Sequence, residues 1–506
     1  MPLPQSQKQS LKTLFSAFLS GSNRGVSGSV AVWTALSTPV VLAGATLSVD
    51  VARVYNVDAE LQAAADSLSR AGAAELDQRS DSISRSSGAI LNLLSHDQKF
   101  ARGNSNIEID TITYFNDIPE KDYVDIPTAN RTNSPSQARF VEVSIKPRDV
   151  PTIFPSSLLQ KLTDTTLSAK AVAGMDQVIC GAAPVFICNP YEGQNTTIYE
   201  AMETKDFRRR QIKFKTPNNV SDPYGGGNFG WLDPFGGNSG ASKLADAIAI
   251  DISPACISQS KGVTLRTGNI ASMRDGLNTR FDIYKGSFSR KSTDPRYAPA
   301  ENVVKGWAPT NSSRSCTEAE SRYAYGLPQD ACFSNGTCAS DRIGDGNWNF
   351  SLYMAVNHPG LTRLTIEGVT YRRGYRGYFT PFTPPSRYEM YRWEIDNNCI
   401  PGRETYGRWV ISQEEGVPQC HSSGPSTTVA DRRIITAAVL NCGEIEANSP
   451  NGMFRRRDPL PVETFVKVFL TEPMGTGQEN TIFGEIVGPI VKGQDSEAND
   501  LVAVRR

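Results

Sequence analysis

Between Arg24 and Asp50 the chain runs for 25 residues, GVSGSVAVWTALSTPVVLAGATLSV, without a charge. A helix of that length, rising 1.5 Å per residue, is about 37 Å long and crosses the roughly 30 Å hydrocarbon layer of a bilayer with some tilt. The flanks orient it. Lys8, Lys12 and Arg24 precede it with no acidic residue, whereas Asp50, Asp58, Glu60 and Asp66 outnumber Arg53 behind it. Basic flanks stay on the cytoplasmic side, so the expectation is a cytoplasmic leader at 1–24, a transmembrane helix at 25–49 and an exported remainder. A cleaved signal peptide shares this polarity, and Ala43-Gly44-Ala45 offers it a cleavage site, but its apolar core spans only about 7–15 residues. Pro39 and the Ser, Thr and Gly residues are common in membrane helices. A buried helix of a soluble core would leave the basic leader unexplained.

Composition bounds what is exported. Net charge is -1 and the pI is near 6.4, which gives no electrostatic case for nucleic acid. Forty-one glycines and 31 prolines point to many turns and more sheet than helix beyond the N-terminal region. All nine cysteines follow residue 179: Cys180, Cys188, Cys256, Cys316, Cys332, Cys338, Cys399, Cys420 and Cys442. In an exported compartment they predict up to four disulfides and one thiol left over. Spacing leaves the pairing open; Cys180 with Cys188 and Cys332 with Cys338 would close short loops, Cys399 with Cys420 a longer one. Zinc is disfavoured, because no C-x-x-C is present and His96, His358 and His421 lie far apart.

Directly after the span the helical pattern continues as a stalk. Leu61, Ala65, Leu68, Gly72 and Leu76 recur at spacings of three and four among alanines, a thin stripe suited to another helix, to a partner or to the sheet of its own domain. A second helical piece, GAILNLLSHDQKF, runs to about Phe100, with His96 as a solvated terminal residue. The period then becomes two in IEIDTITYF and RFVEVSIKP, which predict two strands. SSLLQKLTDTTLSAKAVAG reads as a short helix and then a small-residue strand or helix. A two-layer unit over 50–180 follows, with the stalk laid on a small sheet. Residues 181–506 form a Gly/Pro-rich, mainly β region, with an aromatic-pinned loop at 221–241 and strands around 361–371, 432–442, 463–473 and 483–490. The run from Ile434 to Leu440 suits a central strand. The fold class is therefore α+β: an N-terminal transmembrane helix continuing into a stalk helix, then a mixed α/β exported region with disulfides.

Arg24-Gly25, SVAVWTAL, Pro39 and SVDVARVYNVDAELQAAADSLSRAGAAEL, above all Asp50 to Arg53 and Gln62 to Asp66, resemble the N-terminal domain of TadE/TadG-like Flp (tight adherence) pilus-assembly proteins. PVFICNPYE at 184–192, GLNTRFD at 276–282, DRRIITAAVLNC at 431–442 and VKVFLTEP at 466–473 look like the longer members. The resemblance implies a bacterial envelope protein in pilus assembly or anchoring, with no enzymatic cofactor. Two departures stand out. The Asp-x-Ser-x-Ser run of a von Willebrand A-type domain is absent, and no Glu follows Gly25 or Gly28 before Asp50 as in processed pilins.

No G-x-S-x-G, H-E-x-x-H, P-loop or dinucleotide fingerprint occurs, so neither enzyme activity nor cofactor is expected. Asp341, Asp345 and Asn347 resemble a calcium loop without its Glu at position 12, and read as an Asx-stabilised turn. In 371–394, Arg372, Arg373, Arg376, Arg387 and Arg392 alternate with aromatics; Tyr375, Tyr378 and Trp393 are candidate contacts for a partner or a sugar. The competing reading is two strands joined by a proline-rich turn, with arginines laid along aromatic faces of the same domain. Functionally the sequence points to a single-pass inner-membrane, periplasm-facing scaffold of an Flp/Tad pilus. Its expected partners are the lipid bilayer, other assembly or envelope proteins and a second copy through the N-terminal helix; nucleic acid is not among them. A cell-surface adhesin or carbohydrate-binding protein is the alternative.

Overall fold

A computed structural model describes residues 27–505, apart from 96–106, 120–123, 151–165, 193–197, 216–227, 236–239, 251–255, 268–270, 308–323, 403–404, 407–408, 411–413, 427–430, 448–458, 476–480 and 491–497 and positions 78, 136, 260, 340 and 341. The span and the stalk are one uninterrupted helix, α1, Ser27–Ala73, of 47 residues. At 1.5 Å per residue it is about 70 Å long. A turn then reverses the chain into α2, Ser82–Ser95; His96 and the rest of the expected extension to Phe100 lie outside the described residues. Three strands follow, β1 (Ile109–Phe115), β2 (Phe140–Ile145) and β3 (Lys170–Cys180), each antiparallel to the next. The small residues KAVAG thus extend as strand; the short helix expected before them lies outside the described residues.

Beyond Cys180 the chain builds a second, larger body. Its elements are β4 (Phe186–Cys188), β5 (Gln211–Lys215), α3 (Ala241–Ala249), α4 (Ala271–Asn278), α5 (Phe350–Asn357), β6 (Arg363–Ile366), β7 (Val369–Arg373), β8 (Phe379–Thr380), α6 (Arg387–Asp396), β9 (Ile434–Leu440), β10 (Thr464–Leu470) and β11 (Ile482–Pro489). The main sheet has the order β4-β9-β10-β11-β5, with β4 parallel to β9 and the other neighbours antiparallel. Ile435, Ala437 and Val439 enter one core with Leu244, Ile248, Met273 and Leu277 of α3 and α4. Ala438 and Leu440 enter another with Phe186 and Phe465. Both faces of β9 are covered, which is why its sequence is continuously apolar and not alternating. A third cluster gathers Trp348, Phe350, Tyr353, Tyr371 and Tyr391 around Phe469 of β10. The last strand, β12 (Ala498–Arg505), leaves this body and pairs antiparallel with β3, so the first sheet runs β1-β2-β3-β12.

Two expectations change here. Residues 371–394 are not two strands joined by a proline-rich turn: β7 and β8 form a hairpin arm, and RYEMYRWE is helical. Ser386 accepts from the Glu389 backbone while the Glu389 side chain returns to the Ser386 N–H, a reciprocal cap that starts α6 directly after Pro384 and Pro385. The buried residues Arg387, Met390, Tyr391 and Glu394 then fall on one helical face. Within 221–241, Gly230, at φ +77 with Phe214 O only 2.9 Å from where a Cβ would stand, lets a strand, Asn228–Leu232, approach its neighbours. Trp231 is buried there and Phe235 packs partly against the same core, whereas Tyr224 lies outside the described residues.

Candidate anchoring and assembly helix

The two halves of α1 have opposite surroundings. From Val30 to Val49, nine large apolar side chains are exposed, among them Trp33 at 73% and Val40 at 71%. The most apolar 18-residue window has no buried residue, and this is the one described helix long and apolar enough to cross a membrane. Left in water, these nine side chains would forgo roughly 15–25 kcal/mol of burial free energy, and an uncovered patch of that size marks a surface that meets lipid or protein. The polar groups of the segment are already satisfied. Thr34 donates to Val30 O at 2.8 Å, Thr38 to Thr34 O at 2.6 Å, Thr46 to Leu42 O at 3.0 Å and Ser48 to Gly44 O at 2.7 Å. Such back-bonding removes the cost of a bare hydroxyl in hydrocarbon. Asp50 is buried at the end of this half, and Arg53 is exposed one turn on.

From Leu61 the same helix becomes a floor beam. Leu61, Ala64 and Ala65 pack with Ile107, Ile145, Ala169 and Ala171, and Leu68 and Ala73 with Ile90, Tyr114, Val141, Val143 and Ala173. A Cβ on Gly72 would stand 2.6 Å from Ile90 Cδ1, so the missing side chain at that position lets Ile90 of α2 lie directly on α1. Gln62 donates to Asp66 Oδ1 at 2.8 Å and to Lys170 O at 3.3 Å, tying the QAAAD element to β3. Arg85 closes the turn between the helices on Glu75 at 2.6 Å, Asp77 at 2.5 Å and Asp81 at 3.1 Å. Leu61, Ala65, Leu68 and Gly72, read as a protein-contact stripe, are therefore not available to a partner: alanine and glycine let the helix lie against the chain's own sheet and α2, and the stripe is consumed there.

The aromatic candidates are not one surface. Tyr375 and Tyr378 stand exposed on the arm between β7 and β8, while Trp393 on α6 is half-buried, its ring edge-on to His358 at 6.2 Å. Most arginines of this segment are engaged internally. Arg373 lies over Phe379 at 5.7 Å, and Arg392 pairs with Asp396. Arg387 is fully buried between Asp330 and Glu485, 2.6 Å from each, with its guanidinium over Trp348.

The cysteines pair Cys180–Cys256, Cys188–Cys442 and Cys332–Cys338; Cys420 is also disulfide-bonded, and Cys316 lies outside the described residues. The alternatives Cys180 with Cys188 and Cys399 with Cys420 are excluded. Strand pairing decides the first, because β3 aligns Cys180 with Cys256; Cys399 is a free thiol. Cys188, Glu192 and Cys442 lie close enough to share an ion, but their sulfurs are bonded to each other and offer no thiolate. Asp345 accepts from the Asn347 backbone at 3.0 Å in an Asx turn; Asp341 lies outside the described residues. His421 is held by Asp294 O, from a distant segment, and by the Ser423 N–H. His358 is different, because the fold brings Cys399 and Glu394 against its two ring nitrogens. Nothing in the spacing of those three residues announced the group.

No curated protein and no solved structure matches the chain. A protein-family model does, over residues 28–75, almost the whole of α1 and its turn; its description is "Putative Flp pilus-assembly TadE/G-like". The segment that carries the exposed apolar half and the seated half of the helix is thus similar to the TadE/G-like segment of Flp pilus-assembly proteins.

Proposed function

We propose that the protein is a single-pass, membrane-anchored assembly or scaffold protein of an Flp/Tad-type pilus, facing the periplasm and working through protein contacts without catalysis. The observation that carries this reading is the division of α1 within the family-matched segment: an apolar half with no cover of its own, continuous with a half locked into a folded body. A continuous helix couples the two mechanically, so whatever holds the span holds the body at a fixed height above the bilayer. The basic leader supports a cytoplasmic N-terminus, and the disulfides support an oxidising compartment. With its seated stripe consumed, the helix has only the exposed half left for self-association in the membrane.

Protease treatment of cells carrying a C-terminal tag tests the topology. The tag should resist digestion in intact cells, disappear once the outer barrier is opened, and fractionate with the inner membrane; a tag protected until the inner membrane is lysed overturns both topology and role. The adhesin reading keeps one observation, the full exposure of Tyr375 beside the exposed Tyr378 and Phe382. Glycan binding that is lost in Tyr375→Ala/Tyr378→Ala would favour it.

A further inference from the structure

Cys399 follows α6, and its N–H donates to Glu394 O at 2.7 Å, with Asn398 in the left-handed region at φ 50 making the reversal. That fixes a half-buried thiol 3.8 Å from Nδ1 of His358. Nε2 of the same ring lies 2.8 Å from Glu394 Oε1. Glu394 is fully buried and also takes the Tyr353 hydroxyl at 2.7 Å and the Asn302 amide at 2.5 Å. The His358 ring thus bridges the Glu394 carboxyl and the Cys399 sulfur, and when protonated it donates to both, from Nε2 and from Nδ1. Burial opposes charging the ring, but its bonds to Cys399 and Glu394 outweigh that and lift it to about 9. The other charged groups nearby are Arg433, buried beside Tyr391, and Glu414, held by the Lys305 and Gly306 N–H groups.

We propose that Cys399, His358 and Glu394 form a thiol-exchange site that captures a disulfide-bearing molecule as a mixed disulfide. The thiol proton is held on His358 Nδ1 in a thiolate–imidazolium pair, and the thiolate pair bonds one sulfur of the incoming disulfide. That S–S bond breaks, and the departing sulfur leaves with its pair and takes the proton back from the imidazolium. The exchange is redox-neutral. Among the described residues no second free cysteine is present to release the adduct, so the site fastens a partner and does not turn over.

Full-length protein in detergent micelles, reacted with 5,5′-dithiobis(2-nitrobenzoate), tests this. Wild type should release about one equivalent of thionitrobenzoate and keep one adduct, at a rate changing less than about threefold from pH 6 to pH 8. His358→Gln should climb about a hundredfold over that range, as an ordinary thiol with pKa near 8.5 does, and Cys399→Ser should release nothing. No reaction in folded wild type, release from Cys399→Ser, or a wild-type rate that itself climbs about a hundredfold overturns the proposal; the wild-type profile decides alone if His358→Gln does not fold. Parallel reactions with oxidised glutathione and with insulin separate small-molecule from protein disulfides as the captured species.

Discussion

Replacing Ala65 and Leu68 together by aspartate is expected to unfold the small unit at the base of α1 while leaving membrane insertion intact. Both side chains are 0% exposed. The Leu68 change forfeits about 2–3 kcal/mol of apolar burial, and each new carboxylate must be either charged without a partner or protonated in an apolar site, at a few kcal/mol apiece. Together this reaches the 5–15 kcal/mol that holds an ordinary domain folded. Insertion depends on the segment before Asp50, which neither change touches. Limited proteolysis of the purified double variant should cut within 60–180 under conditions where wild type resists, with no partner present. Unchanged resistance would show that the stripe is not seated on its own sheet, and a loss seen only in cells would return it to a partner.

The second large effect is expected from Cys188→Ser with Cys442→Ser. The bridge joins residues 254 apart in sequence, and in the chain-entropy account a loop that long restricts the unfolded state by about 5.5 kcal/mol. It also clips β4, three residues long and at the sheet edge, to the residue that begins the helical turn after β9. Few backbone bonds hold so short a strand, so the covalent link matters more there than in the interior. Removing Cys332–Cys338, with a separation of 6, should cost only about 2 kcal/mol by the same relation. Urea midpoints of the two double variants, in the same detergent, check the order; equal midpoints would refute it.

How far the sequence could be read depended on whether a residue's setting was local. The exposed and seated halves of α1 were legible because one is a charge-free run and the other repeats at three and four, and each pattern states its own surroundings. β9 was legible because a short apolar run between polar ends fits a strand covered on both faces. What the pattern could not say is what faces what. Leu61, Ala65, Leu68 and Gly72 bear the same stripe whether they meet a partner or β3. Arg387 and Tyr391 look like interface residues until Asp330, Glu485 and Phe469 arrive from distant segments to bury them. The cysteine pairing stayed open for the same reason: Cys332 closes the short loop to Cys338, but Cys180 meets Cys256 across a strand alignment and not across the nearest loop. His358, Glu394 and Cys399 needed the third dimension altogether.

The pairing of β12 with β3 has a consequence for the order in which the molecule can be finished. The sheet on which α1 rests takes one strand from residues 498–505, more than 300 positions beyond its neighbour. A ribosome delivers these two strands more than 300 residues apart, so during synthesis β3 presents a bare edge along Val172 to Ile179, and a bare edge invites pairing with other chains. The sheet beneath α1 therefore closes only after the larger body that lies between its strands in sequence has been made. A product cut before residue 498 would be damaged in the sheet beneath α1, and not at the site of the cut.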